Sequence, residues 1–145
     1  MPSGRIPPSV GTIVEVLLAL GLFALLSYGT WQSIDAVQAG TRLEAGRIDL
    51  VLALSQARRL AYLRQTSVLA AAAEGDGEVL LVPDASGPMT LPLTRGVALA
   101  AVPARGGVLF HPSGWAENAT FELASSQTGR PGRRRVVVNQ RGRIR

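Results

Sequence analysis

The hydrophobic and polar positions divide the chain into three parts, and the first part is continuously apolar. No polar residue occurs between Val16 and Leu26, and isolated polar residues extend the segment to 12–34. As a helix these residues would span ~35 Å, which exceeds a hydrocarbon core of ~30 Å. Tyr28 and Trp31 lie near the far end, where interfacial aromatic residues are expected. The pattern predicts a transmembrane helix.

The second part, residues 35–66, has the period of an amphipathic helix. Its apolar positions recur at helical spacing, and its charged residues fall mostly on other faces. The apolar positions are Leu43, Leu50, Leu54, Ala57 and Ala61. Gly40 and Gly46 each weaken a helix by ~1 kcal/mol relative to Ala. We therefore expect one long helix that ends around residues 64–66 and packs its apolar stripe against a soluble domain.

The third part, residues 67–145, alternates short β-like runs with turn residues. Their spacing of about ten residues predicts an antiparallel β-domain, and its small core needs the helix to complete it. Phe121 and Leu123, like Val136 and Val138, alternate with polar neighbours as half-buried strands do. The predicted strands are 67–72, 78–83, 89–93, 97–102, 107–111, 119–124, 134–139 and 143–145. The fold class is α+β.

Few residues support catalysis or metal binding. The chain has no Cys and a single His, which excludes a disulfide framework and a cysteine metal site. His111 precedes a turn, no G-x-S-x-G is present, and neither Glu117 nor Asp84 stands at a recognisable metal-ligand spacing from it. Residues 74–78 are acidic and Gly-rich but differ from the calcium loop, so a hairpin turn is expected. We expect no enzyme activity, cofactor, metal or small-molecule substrate.

The charge is distributed unevenly. Residues 130–145 contain seven Arg and no acid, whereas the remaining residues sum to −2. Such a basic end has three interpretations: charge that protects sheet edges, contact with acidic lipid headgroups, or binding of DNA phosphates. No aromatic residue interleaves with these arginines, so DNA would be held through its phosphates without sequence preference.

Glu15 complicates the assignment of the apolar segment. A secretory signal peptide and a plain signal anchor both fit the hydropathy, but neither requires a carboxylate at this position. An unpaired carboxylate at the bilayer centre costs ~2.5–3.5 kcal/mol, and less near its edge. Glu15 therefore either pairs with a partner charge or lies at headgroup level, where it favours the positive helix N-terminus.

The run Gly11-Thr12-Ile13-Val14-Glu15-Val16 resembles the class III signal of type IV pilins and pseudopilins. The resemblance implies a leader, residues 1–11, that a prepilin peptidase removes before the new N-terminus is methylated. It also implies that Glu15 neutralises the amino group of a neighbouring subunit during assembly. The cleavage region is Val10, Gly11 and Thr12. A cut after Val10 makes Glu15 the fifth mature residue, and a cut after Gly11 makes it the fourth.

The C-terminal half is similar to the GspH/FimT family of minor pseudopilins. The motifs are Phe110-His111-Pro112-Ser113-Gly114, the run Arg134–Val138 and Gly142-Arg143-Ile144-Arg145. The resemblance implies a long N-terminal helix packed on antiparallel β-sheets. It also implies a subunit that is anchored once in the inner membrane with a periplasmic domain, residues 67–145, and that assembles with other pilin-like subunits.

Within this family, DNA-uptake members end in a similar Gly-Arg-x-Arg motif, so DNA is a second expected partner. The candidate DNA-binding residues are Arg133, Arg134, Arg135, Arg141, Arg143 and Arg145. Arg143 and Arg145 would share one face of a strand, and a hairpin through residues 140–142 would bring the two arginine groups together. The alternatives are a type II secretion pseudopilus, a type IV pilus, a competence pilus, and a membrane-anchored periplasmic β-domain of another purpose.

Overall fold

The computed structural model describes residues 10–83, 87–125 and 132–145. The predicted leader up to residue 9, Asp84 and Arg130 lie outside the described residues. The chain divides into two compact units, Met1–Val37 and Gln38–Arg145. A single helix, α1 (Val10–Arg64), contributes to both units.

In the first unit, α1 exposes its apolar side chains. Thr12–Trp31 is long and apolar enough to cross a membrane, and none of it is buried against the rest of the chain. Phe23 is 71% exposed and Leu25 is 72% exposed. Thr30 satisfies its hydroxyl by donating to the carbonyl oxygen of Leu26 at 2.8 Å. Side chains this apolar need either lipid or other helices around them.

In the second unit, α1 buries the stripe that its sequence predicts. Leu43, Leu50, Leu54, Ala57 and Ala61 are all 2% exposed or less, and Ala53 joins them. Gly46 lies on this side of the helix, where a Cβ atom would approach Val97 Cγ1 to 2.8 Å. The missing side chain lets α1 lie close to the sheet, which gives a packing reason for a residue that weakens the helix itself.

The seven strands form two antiparallel sheets. The strands are β1 (Val68–Ala71), β2 (Glu78–Pro83), β3 (Met89–Pro92), β4 (Val97–Ala101), β5 (Gly107–Phe110), β6 (Ala119–Ser125) and β7 (Arg133–Val138). The first sheet has the order β3-β2-β1-β5, and the second has the order β4-β6-β7. Alternate residues point into one core, among them the four predicted positions Phe121, Leu123, Val136 and Val138, which are fully buried. The α+β prediction is confirmed.

Backbone hydrogen bonds join the two sheets at the loop between β1 and β2. Gly75 N donates to Leu99 O at 2.8 Å, and Leu99 N donates to Asp76 O at 3.0 Å. The acidic segment 74–78, expected only as a hairpin turn, therefore also holds β4 of the second sheet against the first.

The predicted eighth strand, residues 143–145, is wrong as a strand. It makes one isolated bridge, Val138 to Ile144, at the edge of β7. Its chain reverses at Gly142, whose φ of +65° interrupts the extended backbone.

Candidate functional site

The basic residues near the C-terminal end are organised by a tight hairpin. After β7 the chain turns through Asn139–Gly142, and Gly142 N donates to Asn139 O at 2.8 Å. The Asn139 side chain accepts from the backbone N of Arg141 at 3.1 Å and of Arg143 at 2.9 Å. Val137 and Arg145 then exchange two backbone hydrogen bonds. This is the hairpin that the sequence predicts.

Strand alternation places four arginines on one face of the second sheet. Val136 and Val138 point into the core, so Arg133 and Arg135 point away from it. Arg145 pairs with Val137 and Arg143 with Asn139, so both share this side. We call this surface the outer face; it comprises Glu122, Arg133, Arg135, Arg143 and Arg145.

Two of the outer-face arginines form ion pairs with the same acid on β6. Glu122 accepts from Arg135 at 2.8 Å and lies 3.4 Å from Arg133. The hydrogen bond from Arg135, opposed by partial desolvation and reinforced by both positive charges, lowers the pKa of Glu122 below its ordinary value. At neutral pH this carboxylate is charged, and it offsets part of the positive charge of Arg133 and Arg135.

Arg134 has a different orientation from its neighbours Arg133 and Arg135. It points to the opposite side of β7, where its Nε lies 3.3 Å from Glu44 on α1. Glu44 also accepts from Arg47 at 2.7 Å, and that hydrogen bond is the main cause of its lowered pKa. Arg134 therefore links sheet to helix and points to the other side of β7 from the candidate residues Arg133 and Arg135.

The other three candidate arginines form no ion pair with an acidic side chain among the described residues. They are Arg141, Arg143 and Arg145, and all three residues are exposed. Arg141 lies in the hairpin turn and Arg143 follows it. The positive charge that remains available to an anion thus lies at the turn of the hairpin, with Arg141 and Arg143, and along its second arm, with Arg145.

The helix adds two arginines that sequence reasoning missed. Arg58 donates from Nη1 to the carbonyl oxygen of Gly142 at 3.0 Å, which brings the end of α1 to the hairpin turn. Arg58, Arg59 and Tyr62 line a groove of about 460 Å³ with Ser113, Gly114 and Ile144. The sequence alone did not indicate these helix arginines, because Arg58 and Gly142 are 84 positions apart.

An exposed aromatic residue lies beside the same turn. Trp115 lines a groove of about 560 Å³ that includes Asn118 and Gln140. These two amides also line the neighbouring groove of Arg141 and Arg143. No aromatic residue interleaves with the arginines in the sequence, but Trp115 lies near the hairpin turn in space, in a groove that shares Asn118 and Gln140 with theirs.

Comparison with known proteins gives one likeness, at the level of fold. No family model matches the sequence, and no curated protein matches it. Among solved structures, the type IV minor pilin FimU of Pseudomonas aeruginosa matches with a TM-score of 0.56 and 17% sequence identity. The match covers 72% of this chain and 87% of that one. The chain has a pilin-like fold.

Within this pilin-like fold, His111 has one side-chain neighbour able to take part in catalysis. Its Nδ1 lies 3.4 Å from Ser67 Oγ, and no acid among the described residues contacts its ring. Glu117, the described residue considered with it as a metal ligand, instead forms an ion pair with Arg105 at 2.7 Å.

The candidate assembly residues lie at the other end of the chain. Val10, Gly11 and Thr12 form the beginning of α1, and Glu15 follows on the next turn within the exposed apolar segment. In the described part of the first unit, Glu15 is the acidic residue closest to the helix N-terminus.

Proposed function

We propose that the protein is a minor pilin or pseudopilin of the GspH/FimT type, a structural subunit of a type IV pilus or a type II secretion pseudopilus. The observation that supports this most directly is the exposure of Thr12–Trp31 on a helix that continues into a pilin-like domain. Such a helix is stable in the inner membrane before assembly and among the helices of other subunits afterwards.

The domain boundaries follow from the same proposal. Residues 1–11 are the leader, 12–34 the membrane-spanning half of α1, 35–66 its amphipathic half, and 67–145 the periplasmic β-domain. Arg5 on the short N-terminal side favours this orientation under the positive-inside rule. We propose that a prepilin peptidase cuts at Val10–Gly11 or Gly11–Thr12, and mass spectrometry of the mature N-terminus identifies which of these bonds is cut, or that neither is.

Glu15 is the residue through which assembly is tested. One buried carboxylate and one buried ammonium become tolerable together when they pair, whereas either alone is costly. We expect Glu15→Ala to insert into the membrane normally and to lose incorporation into the filament. Glu44→Ala, which removes an acid from the domain half of the same helix, is the matched control. Normal incorporation of Glu15→Ala, measured by cross-linking to neighbouring subunits, would contradict the assembly role.

Secretion and pilus assembly are separated by phenotype. Deletion of the gene should reduce secretion of folded exoproteins if the filament is a pseudopilus. It should reduce twitching or DNA uptake if the filament is a pilus. If the protein is a membrane-anchored β-domain of another purpose, its deletion would affect neither process. In the wild type, the protein would then be absent from sheared filaments.

The second candidate function is DNA binding by a subunit of a competence pilus. It is favoured by the three arginines without an acid partner in the described chain, Arg141, Arg143 and Arg145. Two of them belong to the Gly142-Arg143-Ile144-Arg145 motif. A titration of labelled duplex DNA against the full chain in neutral detergent tests this function. Absence of binding at low salt would return the arginines to the role of charged sheet edge.

A further inference from the structure

The turn of the C-terminal hairpin lies between two exposed aromatic side chains. We call this region the hairpin-turn surface; its members are Arg58, Arg59, Tyr62, Trp115, Arg141 and Arg143. Tyr62 is 65% exposed and Trp115 is 59% exposed. Neither ring is covered by the core, so both rings present aromatic area to solvent near the hairpin turn.

Backbone hydrogen bonds hold Trp115 in position although its side chain is exposed. Its carbonyl oxygen accepts from His111 N at 2.8 Å, and the next residue, Ala116, donates to Gln140 O at 3.1 Å. The backbone of Trp115 is thus fixed beside the hairpin, and its indole is exposed. A Trp side chain has only two torsions, so an exposed indole binds a flat partner with a small loss of conformational entropy.

The groove of Trp115 contains amides that can bind a nucleotide, beside the ion pair of Glu117 and Arg105. Asn118 and Gln140 lie in the Trp115 groove and also in the groove of Arg141 and Arg143. Amide side chains offer both hydrogen-bond donors and acceptors to base edges, and the arginines offer charge to phosphates. On the other side of the turn, Tyr62 shares its groove with Arg58 and Arg59.

We propose that the hairpin-turn surface binds a single strand of nucleic acid, with a base stacked on Trp115 and phosphates held by Arg141 and Arg143. This inference rests on the second candidate function. The bases of a duplex are stacked inside it, so a duplex would contact the arginines through its phosphates but would not stack a base on Trp115. An unpaired strand exposes every base, and aromatic stacking beside a positive groove is how proteins hold such strands without sequence preference.

The test compares three labelled probes of about 20 nucleotides, matched in phosphate number: oligothymidylate, an abasic strand with phosphates but no bases, and a duplex. The full chain is titrated in neutral detergent at low salt. We expect Trp115→Ala to weaken oligothymidylate binding by roughly 5- to 150-fold, the equivalent of one lost stacking contact. The abasic strand and the duplex should change by less than about two-fold, because their contacts are with phosphates. Oligouridylate of the same length identifies whether DNA or RNA is preferred.

Two further variants separate stacking from folding. Trp115→Phe keeps an aromatic face and should retain most of the affinity for oligothymidylate. In a Trp31→Phe chain, the remaining tryptophan emission comes from Trp115 alone, and oligothymidylate should quench it while the abasic strand does not. This signal reports on the ring itself and does not depend on the stability of the variant.

The failures of the two ideas are distinguishable. If wild type binds the abasic strand as tightly as oligothymidylate, or if Trp115→Ala weakens all probes equally, the surface is a general polyanion site. That result overturns single-strand stacking and leaves duplex binding standing. If no probe binds at low salt, both the stacking and the second candidate function are overturned, and the filament role is unaffected.

Discussion

Arg58 on α1 donates a hydrogen bond to the carbonyl oxygen of Gly142, 84 residues later in the chain, at 3.0 Å. This contact fixes the hairpin turn to the helix, and with it the position of Arg141 and Arg143 relative to Arg59 and Tyr62. The same glycine lies so close to the 111–115 turn that a Cβ atom would approach Gly114 O to 2.5 Å. The helix, the hairpin and the Trp115 turn therefore meet at Gly142.

We expect Gly142→Ala to destabilise the domain through two effects. A side chain at φ +65° costs ~1–2 kcal/mol, and its Cβ would in addition displace the backbone of Gly114. Gly75→Ala is the matched control, because Gly75 has φ +86° but nothing within 4 Å of its Cβ position. Chemical denaturation of both variants should show the larger loss at Gly142, and equal losses would contradict the close packing of the two turns.

Two glycines of α1 should respond in opposite directions to the same substitution. Gly40→Ala meets nothing within 4 Å and should raise the free energy of unfolding by up to ~1 kcal/mol through helix propensity. Gly46→Ala gains the same propensity but places its Cβ 2.8 Å from Val97 Cγ1. Overpacking of this kind costs ~1–3 kcal/mol, so the net effect is destabilising. A stabilised Gly46→Ala protein would show that α1 does not lie tightly against β4.

Glu122 should make part of the stability depend on pH. Its pKa is lowered in the folded state, so its ion pairs stabilise the fold above the ordinary value of 4.5. That contribution is lost as the pH falls below 4.5 and through the lowered pKa. Glu122→Gln lacks it at every pH, so the gap in unfolding midpoint between the variant and wild type should be wider at pH 7 than at pH 3. A gap independent of pH would exclude an electrostatic role.

Duplex binding should distinguish the free arginines from the paired ones. With ~4 phosphate contacts, log K falls with log salt at a slope of ~−3.6. Arg143→Ala with Arg145→Ala should reduce the magnitude of this slope by ~2 and leave folding nearly unchanged. Arg133→Ala with Arg135→Ala, the matched double variant on the same face, should reduce it less, because Glu122 already offsets those charges. Equal losses would show that the ion pairs open when DNA binds.

The membrane anchor can be tested with two leucines of similar exposure. Leu20 is 60% exposed in the first unit, and Leu52 is 56% exposed in the second. Leu20→Arg places a charge in the apolar segment at a cost of ~2.5–3.5 kcal/mol, so the protein should leave the membrane fraction. Leu52→Arg should remain there. Extraction of wild type by high salt alone would contradict the anchor.

Local periodicity was sufficient to predict most of the fold. The buried stripe of α1 and the inward residues of β6 and β7 follow from spacing alone, because each element buries one face. The division into two sheets did not follow from the sequence. This division depends on which strands pair; β1, for example, pairs with β5 as well as with β2. It also depends on the hydrogen bond from Gly75 to Leu99, which joins the two sheets.

The candidate site was predictable only in part, because it too depends on contacts between residues that are far apart in the sequence. The charge of the C-terminal end is visible in the sequence, but the partner of each arginine is not. Arg134 meets an acid 90 positions earlier, and Arg133 and Arg135 share one that is 11 and 13 positions away. Trp115 lies near the hairpin because Ala116 donates to Gln140 O, a contact that no local pattern specifies.

The bridge between Val138 and Ile144 also has a consequence for the solubility of the domain. β7 lies at the end of the second sheet, and its second half is the apolar run Val136–Val138. Unpaired N–H and C=O groups along such an edge would recruit a strand from another molecule. Residues 143–145 occupy that edge, and the charged side chains of Arg143 and Arg145 repel a second copy. The short segment thus protects this edge of the second sheet against edge-to-edge aggregation.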